Sequence, residues 1–263
     1  MLFPAAPVRD DEPKGQTTVN PESAVPPDAA AHAPALIHYL PIATTIISVL
    51  FFAVLMRHWL RKRSGAHILW WASGIFFYGL GTALESAITL THNTAALNKA
   101  WYIFGALLGG YPLAQGTVFL LLHRRTALVL TAISVPFILL ASVAVILSPV
   151  NHEAMLPYKP GGDVIAWQWV RLMTPFINIY AALFLIGGAI LSASKYAHHI
   201  ETRSRAVGNA FIAVGAILPG IGGSMAKGGI VEALYIGEFL GLILIWIGYR
   251  ACVAAPRAPA VEL

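Results

Sequence analysis

Seven stretches of predominantly apolar residues run through the chain, at about 37–58, 67–90, 98–122, 126–148, 170–194, 206–227 and 231–251. Each is close to the ~20 residues that a helix rising ~1.5 Å per residue needs to cross ~30 Å of hydrocarbon. The pattern predicts an all-α, multi-pass membrane bundle of seven transmembrane helices. Only His123-Arg124-Arg125-Thr126 separates the third stretch from the fourth, which makes that pair a tight hairpin. Glycines blur the boundary between the sixth and the seventh.

The polar segments set the expected orientation. One set of helix ends carries Arg57, Arg61, Lys62 and Arg63, then Arg124 and Arg125, then Lys195, Arg203 and Arg205, then Arg250 and Arg257. The opposite set carries Lys99, Lys159, Arg171 and Lys227. Basic loops stay in the cytoplasm, so the N-terminus is expected outside and the C-terminus inside. The first 35 residues agree. They hold seven of the seventeen prolines, no apolar periodicity and an excess of acidic residues, and they read as a disordered extracytoplasmic tail. No basic segment followed by an apolar one marks a cleavable leader there. Residues 253–263 read as a short cytoplasmic tail, too short for an output domain, so a sensor of this kind needs a separate output protein. The expected place is the cytoplasmic membrane of a prokaryote.

Composition sharpens the picture. The chain is 57% hydrophobic and only 11% charged, with a mean hydropathy of +0.70, whereas soluble domains run near ~25% charged. The formal charge of +5 arises from helix-end clusters rather than a soluble basic face, so nucleic acid is not an expected partner. The partner is the lipid bilayer. The lone Cys252 excludes an internal disulfide. Histidines 58, 67, 123, 198 and 199 fall at cytoplasmic helix ends, and no H-x-x-x-H or H-E-x-x-H spacing occurs. Neither a metal nor another cofactor is expected.

Candidate chemistry lies in the ionisable groups placed at depth, where charge is costly unless it faces a partner or water. Glu85 sits about five residues from the outer end of the second helix and Glu238 about seven from that of the seventh, depths of ~8 and ~10 Å. Matched depths allow the two to line one outward-facing pocket for a small polar or charged ligand or an ion. Tyr78 shares a face with Glu85. Arg171 and Asn178 fall on one polar stripe of the fifth helix, Gln115 lies deep in the third, and Lys99, Arg171 and Lys227 are the cations at the right level. The alternative reading makes the carboxylates structural glue to those cations.

Two segments read as hinges or helix breaks: Pro219, Gly220, Gly222 and Gly223 in the sixth helix, and Gly109, Gly110 and Pro112 in the third; the other reading of the sixth is a tightly packed helix with a simple proline kink. Proline removes a backbone donor and glycine weakens a helix interior. Ala216, Gly220, Ser224 and Gly228, spaced by four, mark a small-residue packing face. The pattern G-x-x-x-x-G-x-G occurs at Gly74-Gly79-Gly81 and again at Gly215-Gly220-Gly222. It allows a parallel 3+1+3 repeat in which the fourth helix is a linker.

In helix count and order this arrangement resembles SWEET and PQ-loop transporters and the rhodopsins. The Pro-Gln dipeptide of PQ-loop proteins is absent, and the seventh helix has no lysine for a retinal Schiff base. Three function classes follow: a binding or transport protein, a membrane scaffold whose polar residues are structural, and an intramembrane enzyme using a buried glutamate as acid or base. No nucleophile elbow, metal box or phosphate loop supports the last.

Overall fold

The computed structural model describes residues 35–63, 65–197 and 202–254. The two tails and His198, His199 and Glu201 lie outside the described residues, apart from Ala35 and the last two residues of the seventh helix. The fold is all-helical, and among the described residues the only β-type pairing is an isolated bridge between Val150 and Ile165.

The helical segments are α1 (Leu36–Lys62), α2 (Ala66–Leu90), α3 (Ala95–Leu121), α4 (Arg124–Leu147), α5 (Gln168–Ala197), α6 (Arg203–Lys227) and α7 (Val231–Ala254). Six of them are long and apolar enough to cross a membrane. The exception is α2, whose 25 residues include Trp70, Trp71, Tyr78 and Glu85 among its apolar side chains. Local chemistry marks the ends. Thr94 caps α3 by accepting from the Leu97 backbone at 3.2 Å, while Arg63, in the left-handed region, stops α1. Gly229, at φ +95°, turns the chain between α6 and α7.

The neighbours form a ring. α1 packs on α2, α2 on α3, α3 on α5, α5 on α6, α6 on α7, and α7 returns to α1. α4 stands outside the ring against α3 and α5, and only 22% of its most apolar window is buried. Its outward Ile133, Leu139, Leu140, Val143 and Ile146 are exposed, while Thr82, Glu85, Asn98 and Gln115 are buried inside the bundle. Water would not tolerate a surface as apolar as the core. Lipid does.

The breaks fall differently from the sequence expectation. α6 runs unbroken from Arg203 to Lys227 through Pro219, so Pro219, Gly220, Gly222 and Gly223 do not interrupt it. α3 is interrupted: a π-turn at Tyr102–Leu107 is followed by a non-helical step, and a new helix starts at Tyr111-Pro112. Gly109 and Gly110 form that step. α5 carries a second π-turn at Ala182–Ile186, immediately before Gly187-Gly188. The irregular parts of the two helices meet, and a Cβ on Gly110 would lie 3.2 Å from that of Ala181.

The small-residue face expected on α6 is also corrected. Gly220, Ser224 and Gly228 are exposed, and nothing lies within 4 Å of a Cβ built on Gly220. Contact with α7 is made instead by Gly208, Gly215 and Gly222, spaced by seven, against Gly248, Gly241 and Ala233. Seven residues is close to two helical turns, which keeps one face on its partner along the whole seam. Pro219 has no N–H to give the Gly215 carbonyl four residues back. That carbonyl faces Gly241, the close backbone approach in which Cα–H···O contacts recur.

Candidate functional site

The two deep carboxylates converge. Glu85 of α2 and Glu238 of α7 lie within hydrogen-bonding and Coulombic reach of each other. Trp101 Nε1 of α3 donates to Glu85 Oε1 at 2.7 Å, and Glu85 is 1% exposed. Tyr78 bridges the same two helices by donating its hydroxyl to the Glu238 backbone carbonyl at 2.8 Å. The Oε2 atoms of both glutamates are buried without a hydrogen-bond partner. In a low-dielectric interior an unpaired carboxylate oxygen is costly.

None of the expected cations answers them. Lys99 donates to the backbone carbonyls of Ile146 and Ser148, at 2.8 and 2.7 Å, closing the end of α4. Arg171 pairs with Asp163. Lys227 is exposed at the end of α6. Asn178 is exposed on α5. Gln115 belongs to a separate knot, donating to Thr131 Oγ1 at 2.6 Å and accepting from the Tyr180 hydroxyl at 2.6 Å. It ties α3, α4 and α5 together with its polar groups satisfied. Glu85, Glu238 and Tyr78 are therefore brought together, and Lys227, Arg171, Asn178 and Gln115 are not. The glue reading through Lys99, Arg171 and Lys227 finds no such ion pair among the described residues.

A line of polar groups leads from the pair toward the long 148–167 loop. Tyr235, one turn before Glu238 on α7, is fully buried with its hydroxyl unpartnered. The ring of His38, at the start of α1, meets that of Tyr235 edge-on at 5.8 Å. His38 Nε2 lies 3.3 Å from Glu232 Oε1, and Lys159 from the loop closes the line at 2.8 Å from the same oxygen. The loop is itself pinned, since Asn93 Nδ2 donates to the Lys159 carbonyl at 2.9 Å. With its amide set to satisfy its neighbours, Asn98 exchanges two bonds with the Gly161 backbone.

Sequence reasoning passed over four positions. Trp101 and Tyr102 look like interface aromatics, yet Trp101 serves Glu85 and Tyr102 is buried with its hydroxyl 2.7 Å from Thr174 Oγ1. His38 looks like the last residue before the first apolar block. Tyr235 carried the one usable signal, its i, i−3 spacing from Glu238. Of the histidines, His58 Nδ1 bonds the Tyr249 hydroxyl at 2.5 Å and His67 stacks edge-on with Trp71.

No protein-family model, curated protein or solved structure matches this chain. The site's chemistry thus rests on its geometry. Two facing carboxylates, one tryptophan donor and a buried tyrosine offer oxygen ligands and negative charge to a proton or a small cation. They offer no nucleophile activated by a base and no oxyanion donors, the pairings on which acyl or phosphoryl transfer depends.

Proposed function

We propose that this is a seven-span membrane protein that binds, and moves between its helices, a proton or a small monovalent cation at the Glu85–Glu238 pair. The observation that carries the reading is the meeting of two carboxylates inside the bundle, each with a bare oxygen and neither with a basic partner. Two like charges in contact at low dielectric repel strongly. A positive charge between them removes that cost.

In this reading α2 crosses the membrane with the other six. Its tryptophans pack inward, Trp70 against Tyr111 and Phe119, and Glu85 turns into the bundle rather than toward lipid. The N-terminus lies outside, the basic ends lie in the cytoplasm, and the 148–167 loop covers the outer end. Entry to the pair runs past Lys159, Glu232, His38 and Tyr235, and opening of the Lys159–Glu232 contact admits the cation. Reporter fusions after Arg63 and Arg203 are expected on the same, cytoplasmic side. Opposite sides would remove the orientation.

The 3+1+3 repeat gains support from packing. In both G-x-x-x-x-G-x-G segments the first and last glycines face the following helix: Gly74 and Gly81 meet Leu113 and Gly105 of α3, as Gly215 and Gly222 meet Gly241 and Ala233 of α7. The fourth helix stands outside the ring, as a linker would. A repeat of this kind places its site where the two halves meet, and Glu85 and Glu238 belong to different halves.

One observation favours the scaffold reading: Glu85 is 1% exposed, and neither of the two cavities along α1 and α7 is lined by Glu85 or Glu238. Flux through proteoliposomes separates the two. A carrier moves sodium, potassium or protons down an imposed gradient and stops when Glu238 becomes glutamine, whereas a scaffold moves none of the three.

A further inference from the structure

α1 and α7 end side by side on the basic face of the bundle, and the seam between them is not filled. Near the ends it opens into a cavity of about 390 Å³ lined by Arg57, Arg61 and Arg250, with the His58–Tyr249 contact in its wall. Deeper along the same seam lies a second cavity of about 180 Å³, lined by Ile47, Ile243, Trp246 and Ile247. Arg250 lines both, so the two adjoin along the same seam. Its end is charged and its depth is apolar.

The arginines are placed for this rather than scattered. Arg57 and Arg61 are four residues apart on α1 and so share a face, and Arg250 comes from the neighbouring helix. All three are exposed, and among the described residues none of them forms an ion pair. No carboxylate lines the groove. By contrast Arg124 and Arg125, at the α3–α4 hairpin, line neither cavity. Guanidinium groups match phosphate with two parallel donors. From Arg57 to Ile47 is ten residues and from Arg250 to Ile243 is seven, so the apolar part lies ~10–15 Å deeper at ~1.5 Å per residue. That is within the reach of an acyl chain whose headgroup sits at the arginines. A free phosphate ester would use only the upper half.

We propose that this groove holds an anionic phospholipid, its phosphate among Arg57, Arg61 and Arg250 and one acyl chain along Ile47, Ile243, Trp246 and Ile247. The lipid covers the outer side of the contact between the first and last helices, which already pack through Phe51, Trp246 and Tyr249. Negative headgroups concentrate at basic juxtamembrane clusters for the same electrostatic reason. The seam adds selection for a tail.

The test uses the purified full-length protein in mild detergent, offered equal amounts of phosphatidylglycerol and phosphatidylcholine and read by native mass spectrometry. The wild type should retain phosphatidylglycerol by about tenfold or more over phosphatidylcholine. The variant Arg57→Gln/Arg61→Gln/Arg250→Gln should lose that preference, and Arg124→Gln/Arg125→Gln should keep it. Equal loss in both variants would show a general surface field and overturn the site. Displacement of the lipid by millimolar inorganic phosphate or glycerol 3-phosphate would show a free-phosphate site and overturn the lipid assignment. Should the triple variant fail to fold, the wild type decides alone. Fluorescence from Trp246, taken as the difference from Trp246→Phe, should be quenched more by brominated phosphatidylglycerol than by brominated phosphatidylcholine. Equal quenching overturns the proposal.

Discussion

Replacing Glu238 by glutamine is expected to abolish cation movement across a reconstituted bilayer while leaving the melting temperature nearly unchanged. Glutamine has the shape of glutamate and keeps the backbone carbonyl to which Tyr78 donates, so packing between α2 and α7 survives. What disappears is one of the two carboxyl groups that can take up a proton or ligate a cation. Losing a charged ligand costs about 3 kcal/mol, near a hundredfold in binding, and a carrier that does not load does not turn over. Glu85→Gln should behave the same way, because an amide oxygen still accepts from Trp101 Nε1. Dye-loaded proteoliposomes under an imposed potential give the measurement, with sodium, potassium and protons tested in turn. Undiminished flux in both variants, or a fall in stability with no flux in the parent, removes the carrier reading.

The second large effect concerns stability. Gly215→Val or Gly241→Val is expected to destabilise the bundle by about 3 kcal/mol or more, the upper part of the overpacking range. A Cβ on Gly215 would lie 2.6 Å from the Gly241 carbonyl oxygen, and one on Gly241 would lie 2.5 Å from that of Gly215. Both obstacles are backbone, which cannot rotate away as the tip of a side chain can. The ring of Pro219 occupies the same space, its Cδ 2.9 Å from the Cβ that Gly241 lacks. Separating α6 from α7 is the only relief. For a chain of this size such a loss lowers the melting temperature by about 6–12 °C. Gly220→Ala, in the same helix, meets nothing within 4 Å and replaces a poor helix former with the best one. It should be neutral or slightly stabilising. A similar loss at Gly220 would show that close approach to α7 is not what makes the α6 glycines sensitive.

The contrast between Gly215 and Gly220 also shows what a single sequence reveals. Apolar length placed the helices, because crossing hydrocarbon imposes a length that composition cannot hide. Depth arithmetic matched Glu85 to Glu238, because an ionisable group among apolar residues is conspicuous and helix rise is constant. Which glycines touch a neighbour was not legible. Spacings of four and of seven both keep one face, and only the partner helix, with Gly237, Gly241 and Gly248 in register, decides between them. The break in α3 was visible in Gly109-Gly110-Tyr111-Pro112, whereas the π-turn in the continuous α5 was not read from Gly187-Gly188, since a π-turn needs only one extra residue per turn and no special side chain. Between the two readings of Pro219, the unbroken helix holds for a physical reason. The carbonyl it orphans lies against Gly241 of the neighbouring helix, so α6 has no need to open. Trp101 and His38 stayed hidden because aromatic and basic residues near a helix end are what any membrane surface selects.

The juxtaposition of Glu85 and Glu238 underlies the function proposed for this chain, and it can be measured directly. Cys252 is the one native thiol, so a Cys252→Ser background leaves the protein free of cysteine. In that background Glu85→Cys/Glu238→Cys should crosslink within one chain on mild oxidation or with a short bifunctional thiosulfonate, in native membranes. Thr45→Cys/Thr82→Cys, from residues whose Oγ1 atoms, each bonded directly to Cβ, lie 2.9 Å apart, serves as the positive control. Intact mass should show both engineered thiols consumed in each pair. A control pair that crosslinks while the 85–238 pair keeps free thiols would contradict the shared carboxylate site.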